Sequence, residues 1–318
     1  MDYMRSNIVQ FGQRRKPTAQ QRQSWIASLN HGQRQRLRFL ESRLLWEGAV
    51  NRRDICDEFG VTPNHLTREM RAYKDHFPEN IWYDETSRSY RPTQDFQPGL
   101  ASGDPGEYLA LLRAHAQHPA DALRTELGGD VPCDALRPPE GAIDKAVLRG
   151  ILQAIHRKEG CVIRYQSFSR AKSECRTVWP HALAWTGDRW HVRAFDENRR
   201  MHIDLALTRI SSLDATDAPR PSGATSDSDW EEMETIEVIP NPGLSAGQQR
   251  VIAKEYSMSR RGNGWVWEVT LRRCLIPYFL FRFRLDEDRS DKIRDGFPLQ
   301  RIVLLDPNVR TRHAFGKD

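Results

Sequence analysis

The stretch from Asn51 to Lys74 constrains this chain more than any other. Asn51 can cap a short helix that turns Ile55 and Phe59 to one side, and Gly60 then breaks it. Thr62 followed by Pro63 is a strong helix start. The hydroxyl can satisfy an orphan amide, and proline at the first position has no amide to lose. From there Leu66, Met70 and Tyr73 fall at i, i+4 and i+7, one face of a helix. Upstream, Leu37, Leu40 and Leu44 mark an amphipathic helix over 33–46. Helix, short helix, glycine-containing turn and helix form the helix-turn-helix arrangement.

The face of the last helix opposite its apolar stripe carries Asn64, His65, Thr67, Arg68, Arg71 and Lys74, with Thr62 at its start. Arginine and lysine neutralise phosphates, while Asn64, His65, Thr67 and Arg68 are side chains that can reach base edges in a major groove. Residues 81–83, a polar turn over 84–89 and Tyr90-Arg91 read as a β-hairpin, the wing of a winged helix. Arg88 and Arg91 place cations where a wing meets phosphate. An ordinary solvated helix also has a charged face. The cap, the spacing and the hairpin together favour DNA.

The net charge of +5 and pI near 9.0 permit a nucleic-acid partner without requiring one. No apolar run reaches the length of a membrane span, and residues 1–20 carry Arg14, Arg15 and Lys16 without an apolar stretch behind them. The expectation is no membrane partner, no secretory signal and a cytoplasmic location. Five scattered cysteines, none in a CxxC spacing, argue against a disulfide framework or zinc finger and for a reducing compartment.

Pro- and Gly-rich punctuation divides the chain. We expect an α+β multidomain protein with a winged helix-turn-helix over 1–95 and a helical spacer over 96–140. A sensing domain over 141–213, an acidic flexible linker over 214–235 and a C-terminal domain over 236–318 follow. Between Ser211 and Glu234 there are seven acidic residues and one basic, which reads as an exposed, solvating connection.

The sensing block opens with a helix over 142–155 and continues in alternating strands. His191 and Arg193 share one strand face, and His202 and Asp204 share one face of the next, so two adjacent strands present a common polar side. Arg176, Arg200 and Arg209 are near in sequence, as are Tyr165, Ser167 and His181. Two histidines and an aspartate admit a metal-assisted hydrolase or nuclease using His191, His202 and Asp204. The neighbouring guanidinium groups weigh against it, since they repel a cation and favour an anion. Over 157–210, eleven Lys or Arg stand against six Asp or Glu. The expected site therefore takes an anion, with no metal, cofactor or catalytic residue.

Three runs carry a resemblance: 162–167 (Val-Ile-Arg-Tyr-Gln-Ser), 176–183 (Arg-Thr-Val-Trp-Pro-His-Ala-Leu) and 189–194 (Arg-Trp-His-Val-Arg-Ala), closing on Leu207-Thr-Arg209-Ile210. The block resembles a WYL domain, most closely that of bacterial WYL transcription regulators found with phage-defence loci. The Trp-Tyr-Leu that names the family stands here as Trp190-His191-Val192. The resemblance implies a small Sm-like β-barrel that senses a nucleotide or single-stranded nucleic-acid effector. It carries ligand-binding roles to Tyr165, Ser167, Arg176, His181, Trp190, His191, Arg193, His202 and Arg209; strand geometry adds Arg200 and Asp204.

In the last block, Ser245 and Gln248 form a capping box before a helix through Tyr256, and Trp265, Trp267, Val269 and Leu271 alternate as a strand. A largely apolar helix over 275–285 and a strand over 299–305 follow. This block resembles the C-terminal dimerisation domain of the same regulators. The expected function is a homodimeric, ligand-gated regulator that binds an inverted-repeat operator in double-stranded DNA. It would repress its own or a neighbouring phage-defence operon. A nucleic-acid-binding module without a switch is the other non-enzymatic alternative.

Overall fold

The computed structural model describes residues 16–117, 131–137, 141–294 and 296–315, and these divide into two units, 1–137 and 138–318. Arg14, Arg15 and the spacer residues 118–130 lie outside the described residues.

The first unit begins with α1 (Ala19–Ser28), capped by Thr18 and Gln21, and α2 (His31–Glu47), capped by Asn30 and Gln33. A short strand β1 (Val50–Asn51) leads into α3 (Arg52–Phe59). Gly60 adopts a left-handed conformation at φ 60°, which suits a residue without Cβ and ends α3. Then comes α4 (Pro63–His76), with Thr62 as its cap. The hairpin is β2 (Ile81–Asp84) and β3 (Ser89–Pro92), and β1 adds a third antiparallel strand beside β3. Leu37, Leu40, Leu44, Ile55, Leu66, Met70 and Tyr73 form the core, as their spacing predicts. The spacer helix α5 (Pro105–Gln117) packs on α2 through stacked Trp46 and Tyr108 and an Arg38–Glu107 ion pair at 2.8 Å.

One charge lies within that core. Glu41 of α2 is fully buried and accepts four hydrogen bonds, from the Tyr73 hydroxyl at 2.7 Å and the amides of Gly99, Leu100 and Ala101 at 3.0, 2.6 and 2.9 Å. Burial raises its pKa, and the three amides and Tyr73 oppose that. The segment after the wing is thereby pinned to α2.

The second unit starts with α6 (Lys145–Arg157), whose cap is Asp144 rather than the expected start near 142. It packs against β5 and β8 of a five-stranded antiparallel sheet, ordered β7-β6-β5-β4-β8. The strands are β4 (Cys161–Tyr165), β5 (Glu174–Trp185), β6 (Trp190–Asp196), β7 (Met201–Ala206) and β8 (Ile210–Ala215). The register of β5 shifts between Pro180 and Ala182 where it pairs with β6. The edge strands β7 and β8 are joined by one short turn, Leu207–Arg209. Three residues reach only about 11 Å, so the two edges of the sheet curl toward each other at that end.

After α7 (Ser228–Glu231), the sheet β10-β11-β9-β14 forms the last layer. Its strands are β9 (Met233–Pro240), β10 (Ser259–Arg261), β11 (Gly264–Arg272) and β14 (Ile302–Leu304). The helices α8 (Ala246–Glu255), α9 (Ile276–Arg282) and α10 (Asn308–His313) accompany it, and a two-residue pair β12 (Ile293–Arg294) and β13 (Phe297–Pro298) closes a turn. Ile236, Val238, Ile252, Ile276 and Leu280 share its core. The sheets are all antiparallel, with helices packed beside them, an α+β architecture of three domains.

The acidic stretch expected as a solvating linker is not one throughout. β8 takes its first residues, Ala224 packs with Trp179 and Phe195, and Asp227 is buried. The physical reason is that an arginine of the sheet requires a counter-charge, and this segment supplies it.

Candidate nucleic-acid interface and buried charge cluster

In the first unit, nine residues were expected at DNA, and the structure divides them into two groups. Asn64, Arg68 and Arg71 are exposed on α4, and Arg88 is exposed in the wing turn at φ 52°. Among the described residues, Arg68 and Arg71 have no ion-pair partner. The other five also serve the fold. The Thr62 hydroxyl accepts from the His65 amide at 3.3 Å, and the Thr67 hydroxyl donates to the Pro63 carbonyl at 2.8 Å. Lys74 lies 5.5 Å over the Tyr90 ring, and Arg91 donates to Asp84 at 2.9 Å. His65 is half-buried, with Nε2 3.0 Å from Glu69.

Two residues that sequence reasoning does not find set the angle of α4. Arg36 of α2 grips Glu69 with both arms of its guanidinium, at 2.9 and 2.6 Å, where neither side chain is much exposed. Burial pushes the Glu69 carboxyl up, but Arg36 and His65 outweigh it and hold its pKa below the usual value. A bidentate pair fixes orientation as well as distance. The signal was an acidic residue one position before Met70, on the inner edge of the helix.

In the second unit, β6 and β7 pair as Arg193↔Asp204 and Phe195↔His202, with His191 opposite Ala206. His191, Arg193, His202 and Asp204 thus share a face, but that face is covered where an open anion-binding surface was expected. Arg193 is only 5% exposed. Its Nε donates to Asp227 at 2.7 Å and its Nη2 at 3.1 Å, while Nη1 lies 3.4 Å from Asp204. His181 Nε2 is 2.9 Å from Asp227, and His202 Nδ1 is 3.9 Å from it. The Tyr278 hydroxyl of α9 donates to Asp204 at 3.2 Å, and its ring lies against His191. The C-terminal domain therefore completes the covering.

The electrostatics follow from that enclosure. Burial would raise the Asp227 carboxyl, yet hydrogen bonds from His181 and Arg193 hold it well below the usual carboxylate range. Asp204, buried with weaker partners, is raised by burial against the pull of Arg193. Burial, helped by Arg189, lowers His191 to about 4; burial also lowers His202, against Asp227. A cleft of about 270 Å³ opens beside Asp227, lined by Lys158, His181, His202, Arg220 and Trp230 among others.

The remaining expected ligand residues lie outside the cluster. Arg176 is buried and bonded to Asp196 at 2.8 Å. Arg200 takes a left-handed conformation in the β6–β7 turn, and Trp190 is exposed beside Trp185. Tyr165, Ser167 and Arg209 sit where β4 ends and β8 begins; Arg209 lies 4.0 Å over the exposed Phe168 ring, and Ser167 pairs with Ser169. Asp227, Tyr278 and Trp230 are the members that sequence reasoning misses. Only the N-cap pattern of Asp227 before Ser-Asp-Trp-Glu hints at the first.

The set proposed for metal catalysis, His191, His202 and Asp204, does not converge. Among the described residues the group that could hold an ion is His181, His202 and Asp227. There the Arg193 guanidinium already holds both oxygens of Asp227, and a fixed positive charge in that position disfavours a cation. The donor set suits anion chemistry.

Comparison with known proteins finds matches over three stretches of the chain. The family model described as the BrxR transcriptional regulator winged helix-turn-helix domain matches residues 32–114. The WYL domain model matches 146–215, and the BrxR transcriptional regulator C-terminal dimerization domain matches 233–309. The chain is 31% identical to the DNA-binding transcriptional repressor CapW of Pseudomonas aeruginosa, over 87% of this chain and 90% of that one. It is 33% identical to CapW of Escherichia coli strain KTE188, over 84% and 88%. Among solved structures, the proteasome accessory factor B/C of Arthrobacter aurescens matches at 18% identity with a TM-score of 0.26, covering 88% of this chain and 47% of that one. This chain thus spans about half of that structure's length.

Proposed function

The chain belongs to the family of the DNA-binding transcriptional repressor CapW, and from that premise we propose how this member reads and releases its operator. It is a DNA-binding transcriptional repressor with a C-terminal dimerisation domain, not an enzyme. No described helix is long and apolar enough to cross a membrane.

In the reading proposed here, residues 1–95 bind DNA, 141–213 sense the effector and 236–318 dimerise. Two copies of α4 enter successive major grooves of an inverted repeat, because two-fold protein symmetry imposes two-fold operator symmetry. Asn64, Arg68 and Arg71 face the DNA, while Arg88 meets phosphate from the wing. The Arg36–Glu69 grip supports this role, since it fixes the angle at which α4 is presented. The operon controlled is the chain's own or a neighbouring phage-defence operon. A nucleotide or single-stranded nucleic-acid effector acts on the WYL domain and biases operator affinity through differential binding to two conformations.

The observation that carries this reading is the exposed Arg68 and Arg71, without an ion-pair partner among the described residues, on a helix whose other side is locked into the core. The test is a promoter–reporter fusion of the DNA upstream of the gene. The parent protein should repress it. The Arg68→Ala/Arg71→Ala variant, at equal protein level, should not. Equal repression by both would refute the assignment of α4.

A further inference from the structure

We propose that Asp227 is a built-in counter-anion, occupying the anion position of the Arg193 cluster until a phosphate-bearing ligand displaces it. The inference rests on the reading of the WYL domain as the effector site and names how that site is regulated.

Three observations converge on it. First, Arg193 presents its fork to Asp227 in the two-bond geometry that serves carboxylate and phosphate alike, at 2.7 and 3.1 Å. His181 adds a third contact at 2.9 Å. Second, further cations stand beside Asp227, in company with the carboxylates Asp204 and Asp229 that face Arg193 and Glu231 that lines the cleft. The cleft beside Asp227 is lined by Lys158 and Arg220, neither of which has an ion-pair partner among the described residues. A phosphate group carries more charge and more acceptor oxygens than Asp227, so it can use these cations as well. Third, Asp227 is not part of the sheet. It sits at the start of the four-residue α7, on a connection that holds to the sheet through side chains alone: Ala218 and Ala224 pack by Trp179 and Phe195, and the Trp230 ring lies against His181.

The same connection is tied to the dimerisation domain. The Arg272 guanidinium lies 4.4 Å over Trp230 and bonds its carbonyl, and Arg273 bonds Glu232 at 2.6 Å. The chain then enters β9 at Met233. When a phosphate takes Arg193 and His181, Asp227 leaves together with Asp229, 3.7 Å from the same guanidinium, and residues 216–232 lose their charged anchors to the sheet while keeping their ties to the C-terminal domain. The sensing and dimerising domains are thereby uncoupled at one point.

The test uses the full chain, with inorganic pyrophosphate as the probe and amide hydrogen exchange and calorimetry as readouts. Pyrophosphate added to the parent protein should raise exchange across 216–232 several-fold and saturably. Asp227→Asn should raise it without pyrophosphate and should bind pyrophosphate at least tenfold tighter than the parent, the competitor being gone. Unchanged exchange in the titrated parent overturns the proposal, as does unchanged pyrophosphate affinity in the variant. A Zn2+ ion that binds the parent and protects 216–232 would also overturn it, in favour of a cation on His181, His202 and Asp227. Operator affinity is measured separately. If exchange and pyrophosphate binding respond as predicted while operator affinity stays fixed, displacement stands and the gating of DNA binding falls.

Discussion

Arg193 and Asp227 stand 34 positions apart and meet through two hydrogen bonds, in a place where each side chain is about 5% exposed. A charge so enclosed is tolerated only because it is paired. Removing one partner strands the other, which costs about 3–5 kcal/mol. Arg193→Ala should therefore lower the urea midpoint sharply. Arg193→Met combined with Asp227→Leu should recover much of that loss while abolishing anion binding at the site. A double variant as unstable as the single one would mean that the pair is not the source of the effect.

Glu41 gives the equivalent expectation in the DNA-binding unit. Glu41→Ala leaves the Tyr73 hydroxyl and three amides without their acceptor. Buried unsatisfied donors cost about 1–3 kcal/mol each. The loss should be at least ~3 kcal/mol by urea unfolding, with heightened proteolysis of 97–101. Glu41→Gln keeps the shape and should fall between the parent and the alanine variant.

Histidine burial sets the pH dependence. His191 has its pKa lowered from 6.5 to about 4, and His202 is lowered as well. The unfolded chain thus binds more protons than the folded one between about pH 6.5 and 4, so stability is present above that window and lost as pH falls through it. Raised Asp204 acts in the opposite sense, but mainly nearer its own range. The urea midpoint should drop between pH 7 and pH 5, on the order of 2 kcal/mol in stability. His191→Gln should flatten the drop. A midpoint independent of pH would show that His191 is not held neutral by burial.

Thr62→Ala removes the acceptor for the His65 amide and should cost about 1 kcal/mol. It should weaken operator binding far less than loss of Arg68 and Arg71. A larger loss of binding than of stability would assign the Thr62 hydroxyl to DNA.

What was legible in the sequence is what repeats. Leu66, Met70 and Tyr73 recur at helical spacing behind a Thr-Pro start, so α4 and its outer face could be read from residues alone. Strand alternation likewise placed His191 and Arg193 on one side, and His202 and Asp204 beside them. The pattern could not say whether that side was open. Its cover comes from Asp227, one acid in an acidic stretch, and from Tyr278 on a helix that reads as apolar. Neither has a period, because each is chosen by a partner far away in the chain. α1 was illegible for another reason: it buries no residue fully, so it has no apolar stripe, and only the Thr18–Gln21 capping box marks it. Glu41 is a lone charge in a helix and reads as solvent-facing until its four donors are seen.

The central claim is that α4 is the operator-reading helix and that Arg68 and Arg71 on its outer face are needed for it. A gel-shift titration of the parent and the Arg68→Ala/Arg71→Ala variant tests it most directly, against the upstream DNA and a random duplex at physiological salt. The account predicts that the parent prefers the upstream DNA by about 1,000-fold or more, the ratio expected of a specific reader. It also predicts that the variant loses that preference while remaining folded. A parent that binds both duplexes equally and weakens equally on both as salt rises would contradict it, because its positive charge would then supply only non-specific attraction.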